Sequence, residues 1–525
     1  MSEATKSRSM NGAESLLRTL VEGGVEVCFA NPGTSEMHFV AALDRVPGMR
    51  PVLALQENVA TGAADGYGRM TGKPACTLLH LGPGLANGLA NLHNARRACS
   101  PIVNIVGDHA TTHLQYDAPL TSDIHGFASP VSEWVYTSSC SQQIGEDAAR
   151  AVHVASQAPG QIATLILPAD TAWNDAEHVA LPLATSAPTV VAIEKIHHVA
   201  GLINSGLKTA ILMRGAALLE PGLTAAGKIA AKTGARLLCD TFAPRIQRGA
   251  GRVPVERLPY LSEQAADFLA GTELIVLVGA KPPVSFFAYP DKPSWLTPEG
   301  CRLTRLTESH EDGTRALEDL AKACGAENIE PYRTRHQVPT YEFDGPVTAE
   351  FVMQVIAKYL PDNAIISDES ASSGFPYYDI TETAAAHDYL NLTGGALGSM
   401  MAVSIGAAIA CPGRKVVNLQ GDGSAMYLLP ALWTQARENL DIVTVIFSNR
   451  SYSILNHELQ RVGAKNPGQS AASLMSLENP SIHWLGLASG MGISAVQAET
   501  RQSFDMIFQK AMLESGPKLI EVVLS

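Results

Sequence analysis

Short apolar runs alternate along the chain with longer segments in which apolar residues recur every three or four positions. The runs predict β-strands at residues 25–30, 52–55, 75–79, 102–106, 163–168, 209–213, 236–239, 274–278, 364–367, 416–419 and 442–447. The segments between them predict helices. Strands that alternate with helices are typical of parallel sheets covered on both faces, so we expect an α/β fold built of doubly wound parallel-sheet domains.

Two passages interrupt this alternation: residues 181–190 are rich in Pro, Ser and Thr, and residues 330–346 are rich in Pro. We interpret both as linkers, because 525 residues exceed what one hydrophobic core usually serves. They divide the chain into three expected domains, at residues 1–182, 190–330 and 346–525.

The first and third expected domains share a pattern. Residues 73–108 align with residues 412–447, so that strand, Gly-x-Gly turn, helix and strand coincide. An internal duplication would explain this match, and so would the general form of any β-α-β unit. The sequence leaves both explanations open.

Charge and composition exclude several classes of function. The net charge of −13 argues against nucleic acid or an anionic membrane as a partner, because both require a basic face. The eight cysteines show no CxxC or zinc-like spacing, and the N-terminus has no apolar signal core. The longest apolar run, residues 400–411, is too short to cross a bilayer. We therefore expect a soluble cytoplasmic protein with reduced thiols.

One segment approaches a phosphate-binding motif without completing it. GLTAAGKI (residues 222–229) has Ile229 where a P-loop has the Ser or Thr that holds magnesium. No predicted strand immediately precedes it, so we interpret it as part of a helix.

Two polar residues lie where successive predicted strands end. Asp422 follows the strand at 416–419 in a glycine turn, and Asn449 follows the strand at 442–447. A lone Gly-Asp-Gly is common in turns, but carboxyl ends of neighbouring parallel strands meet at one edge of a sheet. There the two side chains could share one hard cation with a nearby backbone carbonyl. A divalent ion with so few protein ligands usually keeps phosphate oxygens in its shell, so the pair indicates a diphosphate ligand.

The glycine turn also carries a resemblance to a known family. The chain resembles the thiamine-diphosphate-dependent 2-oxoacid decarboxylase and acetolactate synthase superfamily, and benzoylformate decarboxylases are nearest in motif. The matching motifs are NPGTSE (31–36), LALQE (53–57), ADGYGR (64–69), LLH (78–80), DESASS (368–373), GGALG (394–398) and GDGSAMYLLPALWT (421–434). The resemblance implies pyrimidine-binding, middle and diphosphate-binding domains, in that order.

The resemblance implies thiamine diphosphate and Mg²⁺ as cofactors. Asp422, Asn449 and the carbonyl of Ser451 would bind Mg²⁺. The other cofactor-binding residues that it implies are Ala371, Ser372, Gly395, Leu397, Gly423, Ser424 and Tyr452. Residues 191–330 show no dinucleotide fingerprint, so we expect no FAD.

The resemblance implies three catalytic residues, of which Glu57 also binds the cofactor. Glu57 would hydrogen-bond the pyrimidine ring of the cofactor and share a proton with it, although a glutamate that opens a helix often serves only the helix dipole. His80 falls where the decarboxylases have an active-site histidine, and an interior histidine without a catalytic role is the alternative. Thr34 falls where they have a serine that contacts the substrate carboxylate.

One expected residue is missing. The decarboxylases carry a second active-site histidine in the middle domain, and residues 282–290 have Phe286, Phe287 and Ala288 in its place. Slower protonation of the enamine would favour its attack on an aldehyde or a second oxo acid. Ile454 and Leu455 would add bulk beside the pocket, and His457 has no assigned role.

The resemblance implies an enzyme that decarboxylates a 2-oxo acid, carboligates the product, or does both. The alternatives are a transferase of the acetolactate synthase type and a binding protein that has lost catalysis. The partners would be a 2-oxo acid and an aldehyde acceptor, with neither nucleic acid nor membrane. Glu57 and Asp422 would serve one cofactor from different subunits, in a homodimer or homotetramer.

Overall fold

The computed structural model describes residues 9–464 and 467–525 and contains three sheets. The chain clusters into two compact units. The first combines the segment up to Ala187 with Gly394–Pro412 and Pro430–Glu438, and the second combines Pro188–Thr393, Gly413–Leu429 and Asn439–Ser525.

A six-stranded parallel sheet forms the centre of the first unit. Its strands are β1 (Val27–Asn31), β2 (Arg50–Leu53), β3 (Ala75–Leu79), β4 (Ile102–Asp108), β5 (Trp134–Thr137) and β6 (Ile162–Pro168), in the order β2-β1-β3-β4-β6-β5. Its helices are α1 (Gly12–Glu22), α2 (Met37–Leu43), α3 (Glu57–Thr71), α4 (Leu81–Ala98), α5 (Ile124–Ala128), α6 (Ile144–Ala155) and α7 (Ala169–Trp173).

The second unit contains the other two sheets. The first of them belongs to the middle of the chain, whose strands are β7 (Thr209–Met213), β8 (Arg236–Cys239), β9 (Arg245–Arg248), β10 (Glu256–Arg257), β11 (Leu274–Val278) and β12 (Arg302–Thr307). The middle helices are α8 (Ile193–Asn204), α9 (Glu220–Thr233), α10 (Ser262–Leu269) and α11 (Gly313–Ala323). Five strands pair in the order β10-β8-β7-β11-β12. The P-loop-like segment lies inside α9, as predicted.

The third sheet has seven strands in the order β17-β18-β16-β15-β13-β14-β9. Its remaining strands are β13 (Ala364–Glu369), β14 (His387–Asn391), β15 (Val416–Gly421), β16 (Ile442–Ser448), β17 (Ser494–Ala498) and β18 (Lys518–Val523). The accompanying helices are α12 (Ala349–Tyr359), α13 (Tyr377–Ile380), α14 (Ser399–Ala410), α15 (Asp422–Ala425), α16 (Pro430–Arg437), α17 (Ser453–Arg461), α18 (Gln469–Leu474), α19 (Trp484–Gly490) and α20 (Arg501–Leu513). Strand β9 joins antiparallel to β14, and the other pairs are parallel.

The first and third sheets share one strand order. Without β9, the third sheet has the order β14-β13-β15-β16-β18-β17. This order corresponds, strand for strand, to β2-β1-β3-β4-β6-β5 in the first sheet. The sequence alignment of residues 73–108 with residues 412–447 likewise matches β3 with β15 and β4 with β16. The correspondence therefore extends from one β-α-β unit to six strands, which favours duplication over a chance match.

Helices α14 and α16 belong to the first unit, although they follow β14 and β15 in the chain. Helix α14 packs against α3 through small residues on both helices. A Cβ at Gly66 would lie 2.1 Å from the carbonyl oxygen of Val403, and a Cβ at Gly406 would lie 1.9 Å from that of Ala63. Glycine at both positions lets the two backbones touch.

The predicted α/β fold with doubly wound parallel sheets is confirmed, whereas one predicted helix is wrong. Between β15 and β16 we expected a single helix, and the chain instead forms α15, a 3₁₀ turn at Met426–Leu428 and α16. Pro430 has no N–H to continue a helix from α15, so α16 begins there. None of the helices in the described part of the chain has the length and apolar character needed to span a bilayer.

Candidate active site

In the first unit, His80 lies against the turn that follows β1. Its Nδ1 is 2.8 Å from Oε2 of Glu36, and the backbone N–H of Gly33 donates to the same oxygen at 2.7 Å. A Cβ at Gly33 would lie 2.2 Å from Nδ1 of His80, so only glycine lets the ring approach the turn. The turn therefore fixes the orientation of the imidazole through Nδ1.

Glu36 is fully buried, and its Oε1 has no hydrogen-bond partner among the described residues. Burial raises the pKa of this carboxyl, while the adjacent His80 and the Gly33 N–H oppose the rise. Gly107 at the end of β4 leaves room for it, since a Cβ there would lie 1.6 Å from Oε1. Thr34, the residue predicted from this motif, is exposed and opens a 3₁₀ turn, whereas Glu36 in the same motif was not predicted.

Glu57 is the first residue of α3 and is 8% exposed. Its Oε2 accepts a hydrogen bond from Nδ2 of Asn87 at 3.0 Å. A Cβ at Gly84 would lie 3.2 Å from Oε1 of Glu57 and 3.3 Å from Cβ of His80. Glu57 and His80 thus both lie beside Gly84 in the first turn of α4.

The loop at residues 394–398 is held by the second half of α4. Asn94 donates to the carbonyl of Ala396 at 2.8 Å and accepts from its N–H at 3.2 Å. Gly395 is exposed, with a φ of 80° that favours glycine, and Leu397 is half-buried. These two predicted cofactor-binding residues therefore lie in the same unit as Glu57 and His80.

In the second unit, Asp422 and Asn449 follow neighbouring strands, because β15 and β16 pair in parallel register. Asp422 is 3% exposed, and its two oxygens accept from the N–H groups of Gly423 at 2.8 Å and Arg450 at 2.6 Å. Oδ1 of Asn449 accepts from the N–H of Ser451 at 3.0 Å. The two residues therefore lie at the same edge of the sheet, and their sharing of one cation stays a prediction.

This edge suits a hard cation. Burial raises the pKa of Asp422 to about 6, although hydrogen bonds from backbone N–H groups act to lower it. A bound cation would offset the cost of burying the ionised carboxylate. In residues 9–464 and 467–525, no three His, Cys, Asp or Glu side chains are grouped so that they could hold a metal. A metal at Asp422 would therefore be completed by amide, carbonyl or phosphate oxygens, and Mg²⁺ prefers such ligands.

A glycine cradle adjoins Asp422. A Cβ at Gly423 would lie 2.4 Å from the ring of Tyr452, so the absence of a side chain lets ring and backbone meet. The hydroxyl of Ser424 donates to the carbonyls of Glu369 at 3.1 Å and Gly421 at 3.0 Å, which ties this turn to the end of β13. Three of the predicted diphosphate-binding residues therefore come together.

Two residues beside this cradle have a left-handed backbone that only glycine adopts easily. Ala371 has a φ of 52° where the 3₁₀ turn containing Ser372 begins, and Arg450 has a φ of 55° between Asn449 and Ser451. Such strain persists where the surroundings impose it and clusters at binding sites. Both turns are thus held in shapes that present backbone groups at the edge of the sheet.

Aromatic rings occupy the region where a second histidine was expected. The ring centroid of Phe286 lies 5.6 Å from that of Tyr260 and 5.4 Å from that of Phe242. Tyr260 in turn stacks on Phe375 at 5.9 Å, and Phe375 directly follows the turn Ala371–Gly374. Phe286 was identifiable from the sequence, but its contact with Tyr260, and through Tyr260 with Phe375, was not, because these residues are distant in the chain.

Ile454 and Leu455, which we predicted beside the pocket, lie in α17 together with His457, which has no predicted role. Ile454 is half-buried, and the other two are exposed. At the end of the helix, Nη2 of Arg461 lies 2.9 Å from Oε2 of Glu263 on α10. This ion pair connects the segment that follows Tyr452 with the middle sheet.

Comparison with known proteins shows the family of this chain. The family model "Thiamine pyrophosphate enzyme, N-terminal TPP binding domain" matches residues 10–130, and "Thiamine pyrophosphate enzyme, C-terminal TPP binding domain" matches residues 372–522. A putative acetolactate synthase large subunit of Mycobacterium tuberculosis is 50% identical over 518 residues, covering 98% of this chain and 99% of that protein. The chain belongs to the thiamine pyrophosphate enzyme family.

Other members of the thiamine pyrophosphate enzyme family match along the whole chain. A benzoylformate decarboxylase of Pseudomonas aeruginosa is 27% identical over 531 residues, covering 95% of this chain and 96% of that protein. The structure of a thiamine diphosphate-dependent 4-hydroxybenzoylformate decarboxylase from Rhodococcus jostii RHA1 shares the fold, with a TM-score of 0.83, 23% identity, and coverage of 98% of this chain and 99% of that chain. The predicted superfamily, which includes acetolactate synthases and benzoylformate decarboxylases, is confirmed.

Proposed function

We propose that this thiamine pyrophosphate enzyme uses thiamine diphosphate and Mg²⁺ to decarboxylate a 2-oxo acid. The remaining acyl group would then either take up a proton and leave as an aldehyde or be transferred to a carbonyl acceptor. The observation that carries the proposal is that Glu57 and His80 both lie beside Gly84. A buried carboxyl and an imidazole oriented by a second carboxyl supply the proton transfers that such a reaction needs.

The second unit would hold the polar end of the cofactor. Asp422, Asn449 and the carbonyl of Ser451 would ligate Mg²⁺, and the diphosphate would lie in the glycine cradle. The residues proposed to bind the cofactor there are Ala371, Ser372, Gly423, Ser424 and Tyr452, while Gly395 and Leu397 would contact its pyrimidine end. When bound, thiamine diphosphate supplies a thiazolium carbon that adds to the carbonyl of a 2-oxo acid and accepts the electrons released with CO₂.

The first unit would manage protons and orient the substrate. Glu57, whose buried carboxyl begins α3, would hydrogen-bond the pyrimidine ring and share a proton with it. Glu36 engages Nδ1 of His80, so Nε2 is the nitrogen that would meet the substrate. The exposed hydroxyl of Thr34, on the same turn, would donate to the substrate carboxylate.

Two observations favour transfer to a carbonyl acceptor as a second candidate function. Residues 282–290 hold Phe286 within an aromatic cluster, so an imidazole that would return a proton is missing there. The Mycobacterium tuberculosis relative, 50% identical over nearly the whole chain, is described as a putative acetolactate synthase large subunit. Both support an acetolactate synthase type of reaction.

Product analysis tests the proposal. The purified protein is incubated with thiamine diphosphate, Mg²⁺ and either pyruvate or benzoylformate, and CO₂, aldehyde and acetolactate are measured. We expect CO₂ release, and acetolactate as the main product from pyruvate would identify the transferase. A cofactor-loaded protein that released no CO₂ from a panel of 2-oxo acids would contradict catalysis and favour a binding protein. Organic cofactors extracted from the same preparation should include thiamine diphosphate and lack FAD.

Substitution of Glu57 tests its role. Glu57→Gln keeps the size of the side chain but cannot hold the carboxyl proton, so turnover should fall by about 100-fold or more. Glu22→Gln, at an exposed end of α1, is the matched control and should retain activity. Unchanged turnover in Glu57→Gln would refute the assignment.

A further inference from the structure

Asn87 is the residue that touches the carboxyl of Glu57 from α4. Its Nδ2 lies 3.0 Å from Oε2 of Glu57, in a helix whose other face is buried against α3. Asn87 itself is exposed, on the side of α4 that borders Glu57 and Gly84. Nothing in the sequence singles it out, because asparagine is common within helices and strand β3 separates its helix from that of Glu57.

The contact makes the two carboxyl oxygens of Glu57 unequal. An amide N–H can only donate, so Oε2 must accept. An ionised or unprotonated oxygen is the stronger acceptor, and a proton on the carboxyl is therefore favoured on Oε1. Oε1 is the oxygen near Gly84, where a Cβ would come within 3.2 Å. The space beside Oε1 is thus kept open by glycine, on the side where His80 lies.

We propose that Asn87 is a positioning residue, which orients the carboxyl of Glu57 so that Oε1 carries the exchangeable proton towards Gly84 and His80. The inference rests on the proposed function, in which Glu57 shares this proton with the pyrimidine ring of thiamine diphosphate. Asn87 acts through Glu57 and need not touch the substrate. Removing its amide would let the carboxyl rotate and would divide the proton between two oxygens.

The test measures the cofactor rather than turnover. Thiamine diphosphate and Mg²⁺ are bound to the full-length protein, the solution is mixed with D₂O, and loss of the thiazolium C2 proton is followed by NMR after acid quench. Its rate reports how well Glu57 activates the cofactor. The dissociation constant of thiamine diphosphate is measured in parallel by calorimetry. The variants are Asn87→Ala, Asn87→Asp and the matched control Asn174→Ala, an exposed asparagine that follows α7.

Loss of one hydrogen bond to an ionisable group should slow C2 exchange in Asn87→Ala by about tenfold, with a dissociation constant within about threefold of that of the unmodified protein. Asn87→Asp should slow exchange further, because it replaces a donor by a second carboxylate beside Glu57. Asn174→Ala should match the unmodified protein in both measurements.

Two results would overturn the inference alone: an exchange rate in Asn87→Ala that is unchanged, or a dissociation constant that rises as much as the rate falls, which would indicate a structural role. Failure of the unmodified protein to accelerate C2 exchange over free thiamine diphosphate would overturn the proposed function, and this inference with it.

Discussion

Asp422 is buried, and its carboxylate accepts hydrogen bonds from two backbone N–H groups. It is the carboxylate at this edge of the third sheet that we assign to Mg²⁺. Asp422→Asn keeps the shape but removes the charge that attracts the cation. We expect the dissociation constant of thiamine diphosphate in the presence of Mg²⁺ to rise on the order of 100-fold. Calorimetric titration checks this, with the exposed Asp362→Asn as control. Equal affinity in the two variants would remove Asp422 from the metal site.

His387 in β14 gives a pH prediction at the same scale. Burial, aided by the charge of Arg248, lowers its pKa to about 3, and the neutral ring is placed with Nδ1 2.8 Å from the carbonyl of Ala385 and Nε2 3.2 Å from the hydroxyl of Tyr377. The folded pKa lies below the unfolded value of about 6.5. Its contribution to stability is therefore complete above pH 6.5 and is lost as pH falls towards 3.

His387→Asn should lower stability at pH 7.5 but remove part of this acid dependence, which can reach about 1.4 kcal/mol per pH unit for one group. Urea unfolding at several pH values between 7.5 and 4.5 measures it, and the exposed His336→Asn is the control. The same slope in His387→Asn as in the unmodified protein would show that other groups cause the acid loss.

The sequence showed the polar residues that end strands, and it could not show which side chains meet across the fold. Asp422 and Asn449 were predictable because each follows a strongly apolar run, and parallel neighbours end at one edge. Glu36 and Asn87 were not, since their importance lies in contacts with His80 and Glu57 that only the packed helices and strands create. The roles assigned to all these residues stay predictions until the variants are measured.

At the scale of elements, apolar runs located most strands, while local pattern failed where an element depends on tertiary pairing. Strand β9 is short and carries charged residues, Arg245 and Arg248, at both ends, and it is a strand because β14 pairs with it. The break between α15 and α16 had a visible cause in Pro430, which the helical spacing of apolar residues obscured.

Helix α17 yields a prediction about cofactor retention. Arg461, at the end of this helix, forms an ion pair with Glu263, and Lys292 contacts the same carboxylate. The guanidinium of Arg461 lies 4.8 Å from the ring centroid of Tyr289. Lys292, and to a lesser extent Arg461, lower the pKa of Glu263 to about 2. Because α17 begins just after Tyr452, the pair should help to hold the diphosphate-binding segment.

Glu263→Gln should therefore raise the dissociation constant of thiamine diphosphate roughly twofold to fivefold, as expected for a partly exposed ion pair. The effect should shrink at high ionic strength, which screens such pairs. Glu318→Gln, exposed on α11, is the control. An effect independent of salt would point to packing of α17 rather than to the ion pair.

At the scale of the whole molecule, mixing of variants tests the expectation, implied by the family resemblance, that Glu57 and Asp422 serve one cofactor from different subunits. Glu57→Gln and Asp422→Asn should each be inactive alone. In a mixed dimer, one site receives both unmodified residues, so random pairing should restore about a quarter of the activity. Co-expression with two affinity tags and a turnover assay measure it. Absence of any recovery in isolated mixed dimers would place both residues in one subunit's site.

The position of α14 also bears on how the protein is made. This helix is buried from Ser399 to Ile409, and it covers the face of α3 in the unit that the N-terminal part of the chain begins. During translation, α3 emerges long before α14, so that apolar face waits for its cover while the middle sheet is still being synthesised. Helix α3 is rich in glycine and alanine and carries Asp65 and Arg69 as a buried ion pair. The first domain to leave the ribosome is thus the one whose core is completed late. Chaperones would have most to protect in the interval between the synthesis of α3 and that of α14.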